Sequence, residues 1–80
     1  MDDAEIYAFL AELFRDLFDR DDIVLRPELT AGDVDGWDSF KQVEILVATE
    51  AQFGVKFRTR EIDGLHSLGD LVALVRQKTA

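Results

Sequence analysis

The segment DVDGWDSFKQVEILVATEAQFG, Asp33 to Gly54, decides how the whole chain is read. An acidic, glycine-broken approach ends at Trp37, and an uninterrupted helical pattern begins at Asp38 or Ser39. Ser39 with Gln42 three residues on fits a capping box, in which a hydroxyl and an amide satisfy the first backbone N–H groups of a helix. Asp38 competes for the same cap. If Asp38 takes it, Ser39 falls at the first helical position with its hydroxyl facing solvent. Phe40, Val43, Val47 and Ala51 then recur at helical spacing, and Leu46 and Phe53 widen that apolar face. Gly54 supplies the left-handed position at which such a helix stops.

Helical periodicity extends on both sides of this segment. Asp2 and Glu5 have capping-box spacing. Ile6, Phe9, Leu10, Leu13, Phe14, Leu17 and Phe18 lay an apolar stripe along a first helix, Asp3 to Phe18. Residues 19–37 read as a long loop broken by Pro27, Gly32 and Gly36, with Ile23, Val24, Leu25 and Leu29 pinned against the helices. The DIVLR run has strand composition but no partner strand in the sequence. Beyond Gly54, Val55 and Phe57 tuck in from an extended link, and a one-turn helix lies near Glu61 to Gly64. Ser67 with Asp70 starts a last helix, whose Leu68, Leu71, Val72 and Val75 form its apolar side and which ends near Lys78. No helix buries its stripe alone, so these elements predict an all-α fold: a four-helix bundle with a short third helix and a long first loop. Residues 1–80 read as a single domain with a thin core.

Composition narrows the function. The formal net charge is -8, which argues against a nucleic-acid partner, because backbone binding needs a cationic surface. The charge is uneven: residues 1–40 hold twelve acids and three bases, residues 41–80 five acids and six bases. There is no cysteine, hence neither a disulfide nor a thiol of the protein's own. No apolar run reaches the roughly 20 residues that span a bilayer, and residues 1–5 lack the basic start of a secretory leader. The expected compartment is the cytoplasm, without stable membrane insertion.

Few residues offer chemistry. His66 is the one histidine, and it sits beside a helix cap where a polar surface residue is ordinary, so no catalytic residue is assigned. Asp33, Asp35 and Asp38 superficially resemble a calcium loop with Glu44 at its twelfth position. Trp37 and Gly36 stand where the loop needs a ligand and a different turn, so no metal ligand is assigned either. Ser39 is left as the candidate. The amides and dipole at a helix start favour an anion there, while Asp33, Asp35 and Asp38 oppose it.

GWDSF, Gly36 to Phe40, resembles the attachment motif of the acyl carrier protein family, Gly-x-Asp-Ser-Leu. The similarity continues through VEILVATEAQFGVKF and REIDGLHSLGDLVALV, and the first helix matches in pattern. This resemblance implies 4′-phosphopantetheine attached to Ser39, with Asp38 taking part in recognition by a phosphopantetheinyl transferase. The arm would carry acyl or aminoacyl groups as thioesters, and the protein would be a carrier and not an enzyme. The resemblance also implies partner contacts on the second and third helices: Phe40, Glu44, Val47, Glu50, Glu61 and Ile62. Plain core positions are the alternative for Phe40 and Val47, with partner contact favoured for Phe40 because it begins the helix beside a solvent-facing serine. Implied partners are an acyl-loading ligase or acyltransferase and a ketosynthase or other acyl-processing enzyme, visited by a monomer. Phe40 in place of Leu, Lys41, Ala51 and the basic run KFRTR depart from the fatty-acid pattern and point toward a specialised fatty-acid, polyketide or related pathway. The competing expectation is a helical adaptor with no prosthetic group.

Overall fold

The computed structural model describes residues 2–80. Four α-helices follow in order: α1 Asp3–Phe18, α2 Ser39–Phe53, α3 Thr59–Asp63 and α4 Leu68–Thr79, with a 3-10 turn at Ala31–Asp33. There is no strand among the described residues. The expected bundle, its short third helix and its long first loop are all present.

Each helix starts where its sequence supplies an acceptor for an orphan backbone N–H. The Asp2 carboxylate accepts from the Glu5 N–H at 3.0 Å, and Asp38 accepts from the Lys41 N–H at 2.9 Å. In α3 the Glu61 carboxylate reaches back to the Arg58 N–H at 2.8 Å. In α4 the Asp70 N–H donates to Ser67 at 3.3 Å, and the Asp70 carboxylate accepts from the His66 N–H. Gly54 ends α2 with a left-handed φ of 66°, a conformation that costs glycine no steric penalty.

Helix α1 packs against both α2 and α4. Ile6, Leu10 and Phe14 recur every four residues and are sealed from solvent. They meet Ile45 and Leu46 of α2 and Leu68, Leu71, Val72 and Val75 of α4 in one core. Burying a side chain of this kind stabilises by about 1.5–3 kcal/mol. At the far end of α2, Phe53 meets Phe9 edge to face, with ring centroids 5.3 Å apart.

Two sequence expectations are corrected here. The helical row Phe40, Val43, Val47, Ala51 is not the buried face of α2. These four side chains are exposed, the three large ones at 72%, 58% and 57%. The face turned inward carries Ile45, Leu46 and Thr49. Thr49 is fully buried without penalty because its hydroxyl donates to the Ile45 carbonyl at 2.7 Å. Helix α2 is apolar on two sides, and periodicity alone does not say which side meets the core. The second correction is Val24, expected to be pinned but 69% exposed. Its neighbours Ile23 and Leu25 are half-buried, the alternation an extended segment imposes.

The long loop is fixed to α4 by main-chain bonds. The Leu68 N–H donates to the Leu29 carbonyl at 2.8 Å, and the Gly69 N–H to the Pro27 carbonyl at 2.9 Å. Two orphan donors of the α4 start are thereby satisfied by the loop, and Leu29 enters the core beside them. A Cβ on Gly69 would lie 3.0 Å from both the Cβ and the carbonyl oxygen of Pro27. Ion pairs add smaller ties: Arg76 forks onto Asp3, joining α4 to α1, and Lys78 meets Glu61 at 3.0 Å, joining α4 to α3.

Two predictions follow from these ties. Gly69→Ala forces the loop away from α4 and lowers stability by about 1–2 kcal/mol, read as a drop of roughly 4–8 °C in melting temperature per kcal/mol for a domain this size. The Glu61 carboxyl is held below its ordinary pKa, first by the Arg58 N–H and then by Lys78. Because its folded pKa is the lower one, its contribution is present above the unfolded pKa and disappears as pH falls through the folded value. The melting-temperature gap between the wild type and Glu61→Gln is therefore open at pH 7 and closes as pH falls below about 4.3.

Candidate functional site

Ser39 owes its position to the residue two places before it. Trp37 stands edge-on to the buried ring of Phe14, with centroids 5.1 Å apart and planes at 88°, and it also approaches Phe18. Its indole N–H donates to the Gln42 side-chain oxygen at 2.8 Å. The same tryptophan thus grips α1 with its ring and the first turn of α2 with its nitrogen. Gln42 is taken up by this bond and not by a capping box with Ser39. The turn leading in uses Gly36 at φ 87°, which a side-chain-bearing residue adopts only with strain.

Asp38 fills the cap, so Ser39 is the first residue of α2 and is exposed. Of the two arrangements the sequence allowed, this is the one that leaves the hydroxyl to solvent. Beside it opens a pocket of about 360 Å³ between the start of α2, α3 and the start of α4. Trp37, Ile62, Leu65, Leu68 and Leu71 give it apolar walls, and Asp38 and Ser39 border it. His66 borders the same pocket, but the group it commits is its backbone N–H, which donates to Asp70.

The remaining sequence candidates fall into two sets. Phe40 and Val47, with Val43 between them, form an open apolar row leading away from Ser39. Val43 was legible only as part of the presumed core stripe; its position one turn from both neighbours is the signal that joins it to this row. The acidic candidates are engaged within the protein. Glu50 accepts from the Phe57 N–H at 2.7 Å, Glu61 holds the α3 cap and Lys78, and Glu44 pairs with Lys41 at 3.6 Å. Ile62 is half-buried on α3 and faces the pocket.

Among the acids near Ser39, Asp33 is tied to Thr30, whose N–H and hydroxyl both donate to it. These bonds hold its carboxyl below the usual range, the N–H contributing most. Asp35 is exposed. Among the described residues, no three carboxylates or imidazoles gather into a metal-binding group, and no helix is long and apolar enough to cross a membrane.

The residues around Ser39 suit a covalently tethered phosphate-linked arm. An accessible hydroxyl stands at a helix start, whose amides favour an anion, and an apolar trough lies alongside. Comparison with known proteins concerns the chain as a whole. A family model described as "Phosphopantetheine attachment site" matches residues 8–75. The chain is 36% identical over 73 residues to the meromycolate extension acyl carrier protein of Mycolicibacterium aurum, covering 91% of this chain and 75% of that protein. It is 32% identical over 75 residues to an acyl carrier protein of Acidothermus cellulolyticus, covering 94% and 89%. The solution NMR structure of the holo acyl carrier protein from Geobacter metallireducens superposes with a TM-score of 0.82 at 39% identity, over 89% of this chain and 82% of that one. Proteins of this family are carriers and not catalysts, and they bear 4′-phosphopantetheine on a serine. The chain belongs to the phosphopantetheine-attachment family, as an acyl carrier protein.

Proposed function

We propose that Ser39 is the attachment point, and that the protein carries acyl groups through a specialised fatty-acid, polyketide or related pathway. The observation that carries this reading is the division of labour at the start of α2. Asp38 caps the helix and Ser39 is presented to solvent beside an apolar pocket. In attachment, a phosphopantetheinyl transferase uses magnesium to bring coenzyme A to this hydroxyl. A bond forms between the Ser39 oxygen and phosphorus, the pyrophosphate bond breaks, the nucleotide part leaves with the electron pair, and the serine proton passes to the transferase. The 4′-phosphopantetheine group would supply the thiol that holds an acyl group as a thioester, chemistry this cysteine-free chain lacks.

The protein's own residues have three tasks in this reading. Trp37 and Gln42 hold the first turn of α2 at a fixed angle, so the hydroxyl meets the transferase without first being ordered. Asp38 keeps the helix start intact and offers a carboxylate to the transferase. Phe40 and Val47, with Ile62, form the apolar part of the surface met by an acyl-loading ligase or acyltransferase and by a ketosynthase. Glu44, Glu50 and Glu61 lie along that surface. The relatives named for meromycolate extension support elongation of an acyl chain as the cargo chemistry. The carrier works as a monomeric single domain in the cytoplasm.

Incubation with coenzyme A, magnesium and a broad-specificity transferase, followed by intact mass measurement, is expected to add one phosphopantetheine to the wild type and none to Ser39→Ala. An unchanged wild-type mass with several transferases would favour the adaptor reading. Asp38→Asn retains a good cap, so it is expected to melt close to the wild type yet be modified more slowly. Asp38→Ala loses about 1 kcal/mol of stability as well. Equal modification rates for the wild type and Asp38→Asn would remove Asp38 from recognition.

A further inference from the structure

The charges available on the α2–α3 side differ from those the sequence promises. Glu44, Glu50 and Glu61 each already meet a cation or a backbone N–H. The cations divide the other way. Arg20, Arg26, Lys41, Arg76 and Lys78 have carboxylate partners. Among the described residues, Arg15, Lys56, Arg58 and Arg60 have none. The last three fall within residues 56–60, and all are exposed. The opposing acid in this stretch without an ion pair is Asp63.

This cationic run is joined to the apolar row of α2. The bond from the Phe57 N–H to Glu50 places residues 56–58 against the helical turn that follows Val47. Phe40, Val43 and Val47 therefore form a strip that starts next to Ser39, extends about 10 Å along the helix, and ends at the turn against which residues 56–58 are tied, with Arg60 following two residues on in α3.

We infer that this strip docks a protein surface whose apolar patch is rimmed by aspartate and glutamate carboxylates, with residues 56–60 meeting the acidic rim. The inference rests on the carrier reading above and specifies the chemistry of the partner. Opposite charge at a rim steers encounter and fixes orientation, while the apolar centre supplies contact area. An anionic membrane is the poorer occupant. A flat acidic bilayer would face the whole strip at once, including the exposed Asp35 and Asp38 before its Phe40 end, whereas a protein can confine its carboxylates to the end that meets residues 56–60.

The probes are two ketosynthases of known structure, one with a carboxylate-rimmed entrance and one with a Lys/Arg-rimmed entrance. Each is offered protein charged at Ser39 with a thiol-reactive pantetheine analogue that cross-links to its active-site cysteine. Wild-type protein is expected to cross-link faster to the carboxylate-rimmed enzyme, with a rate that falls as salt rises. The K56E/R58E/R60E variant loses about tenfold there and gains on the other enzyme. The neutral K56Q/R58Q/R60Q variant falls between them, and circular-dichroism melting verifies that both variants fold. Equal rates for the wild type and the charge-reversed variant on the carboxylate-rimmed enzyme overturn the inference, as does a wild-type preference for the Lys/Arg-rimmed one. Co-sedimentation of the wild type, but not of the reversed variant, with phosphatidylglycerol vesicles assigns the strip to a membrane and likewise overturns it. Charging is checked by mass beforehand, so a failed attachment at Ser39 is seen as such and removes both readings, whereas normal charging with charge-blind cross-linking removes only this one.

Discussion

The contact of Trp37 with Phe14 joins the fold to its function. A chain of 80 residues has little apolar area to commit, and much of it here lies in α1. A ring set edge-on against Phe14, at the inner end of α1, fixes where the long loop ends and where α2 begins. Because the indole nitrogen is also bound to Gln42, the angle of the first α2 turn follows from packing and from a directional bond together. Asp38 and Ser39 lie between these two anchors. Their different duties, one closing the helix and the other facing outward, are consequences of that geometry.

The secondary structure was largely legible because each helix is written twice, once in its stripe and once in its cap. Asp2 and Ser67 cap as their spacing implies, Asp38 takes the cap for which Ser39 also had the spacing, and Gly54 stops α2 as expected. The one-turn helix was placed slightly late: it begins at Thr59, because its cap comes from Glu61 reaching backward to Arg58 and not from a Ser, Thr, Asp or Asn ahead of it. The 3-10 turn at Ala31–Asp33 was not read at all. Its signal was Thr30 with Asp33, a pairing obscured by the density of acids around it.

The site was less legible than the helices. Ser39 could be singled out, but its exposure depended on whether Asp38 or Ser39 itself took the cap, and the sequence left both open. The larger misreading concerned α2. Phe40, Val43 and Val47 have perfect helical spacing, yet the bundle buries Ile45, Leu46 and Thr49. Three-dimensional partners decided this: α1 and α4 present a core that fits the Ile45–Leu46 side, and Thr49 satisfies its hydroxyl within its own helix. The acidic candidates show the same limit. Glu50 and Glu61 sit at surface-like positions in sequence, but the backbone N–H groups of Phe57 and Arg58 claim them.

The close approach of Gly69 to Pro27 sets a mechanical asymmetry around the pocket. On one side, the long loop and α4 are stitched together by paired main-chain bonds, with Leu29 and Leu68 sunk into the interior. On the other stands α3, five residues long, with no fully buried side chain, held by Ile62 against the core and by the Glu61 pair with Lys78. The two walls of the trough thus differ in kind: one is sewn to the bundle through its main chain, the other is held through side chains alone.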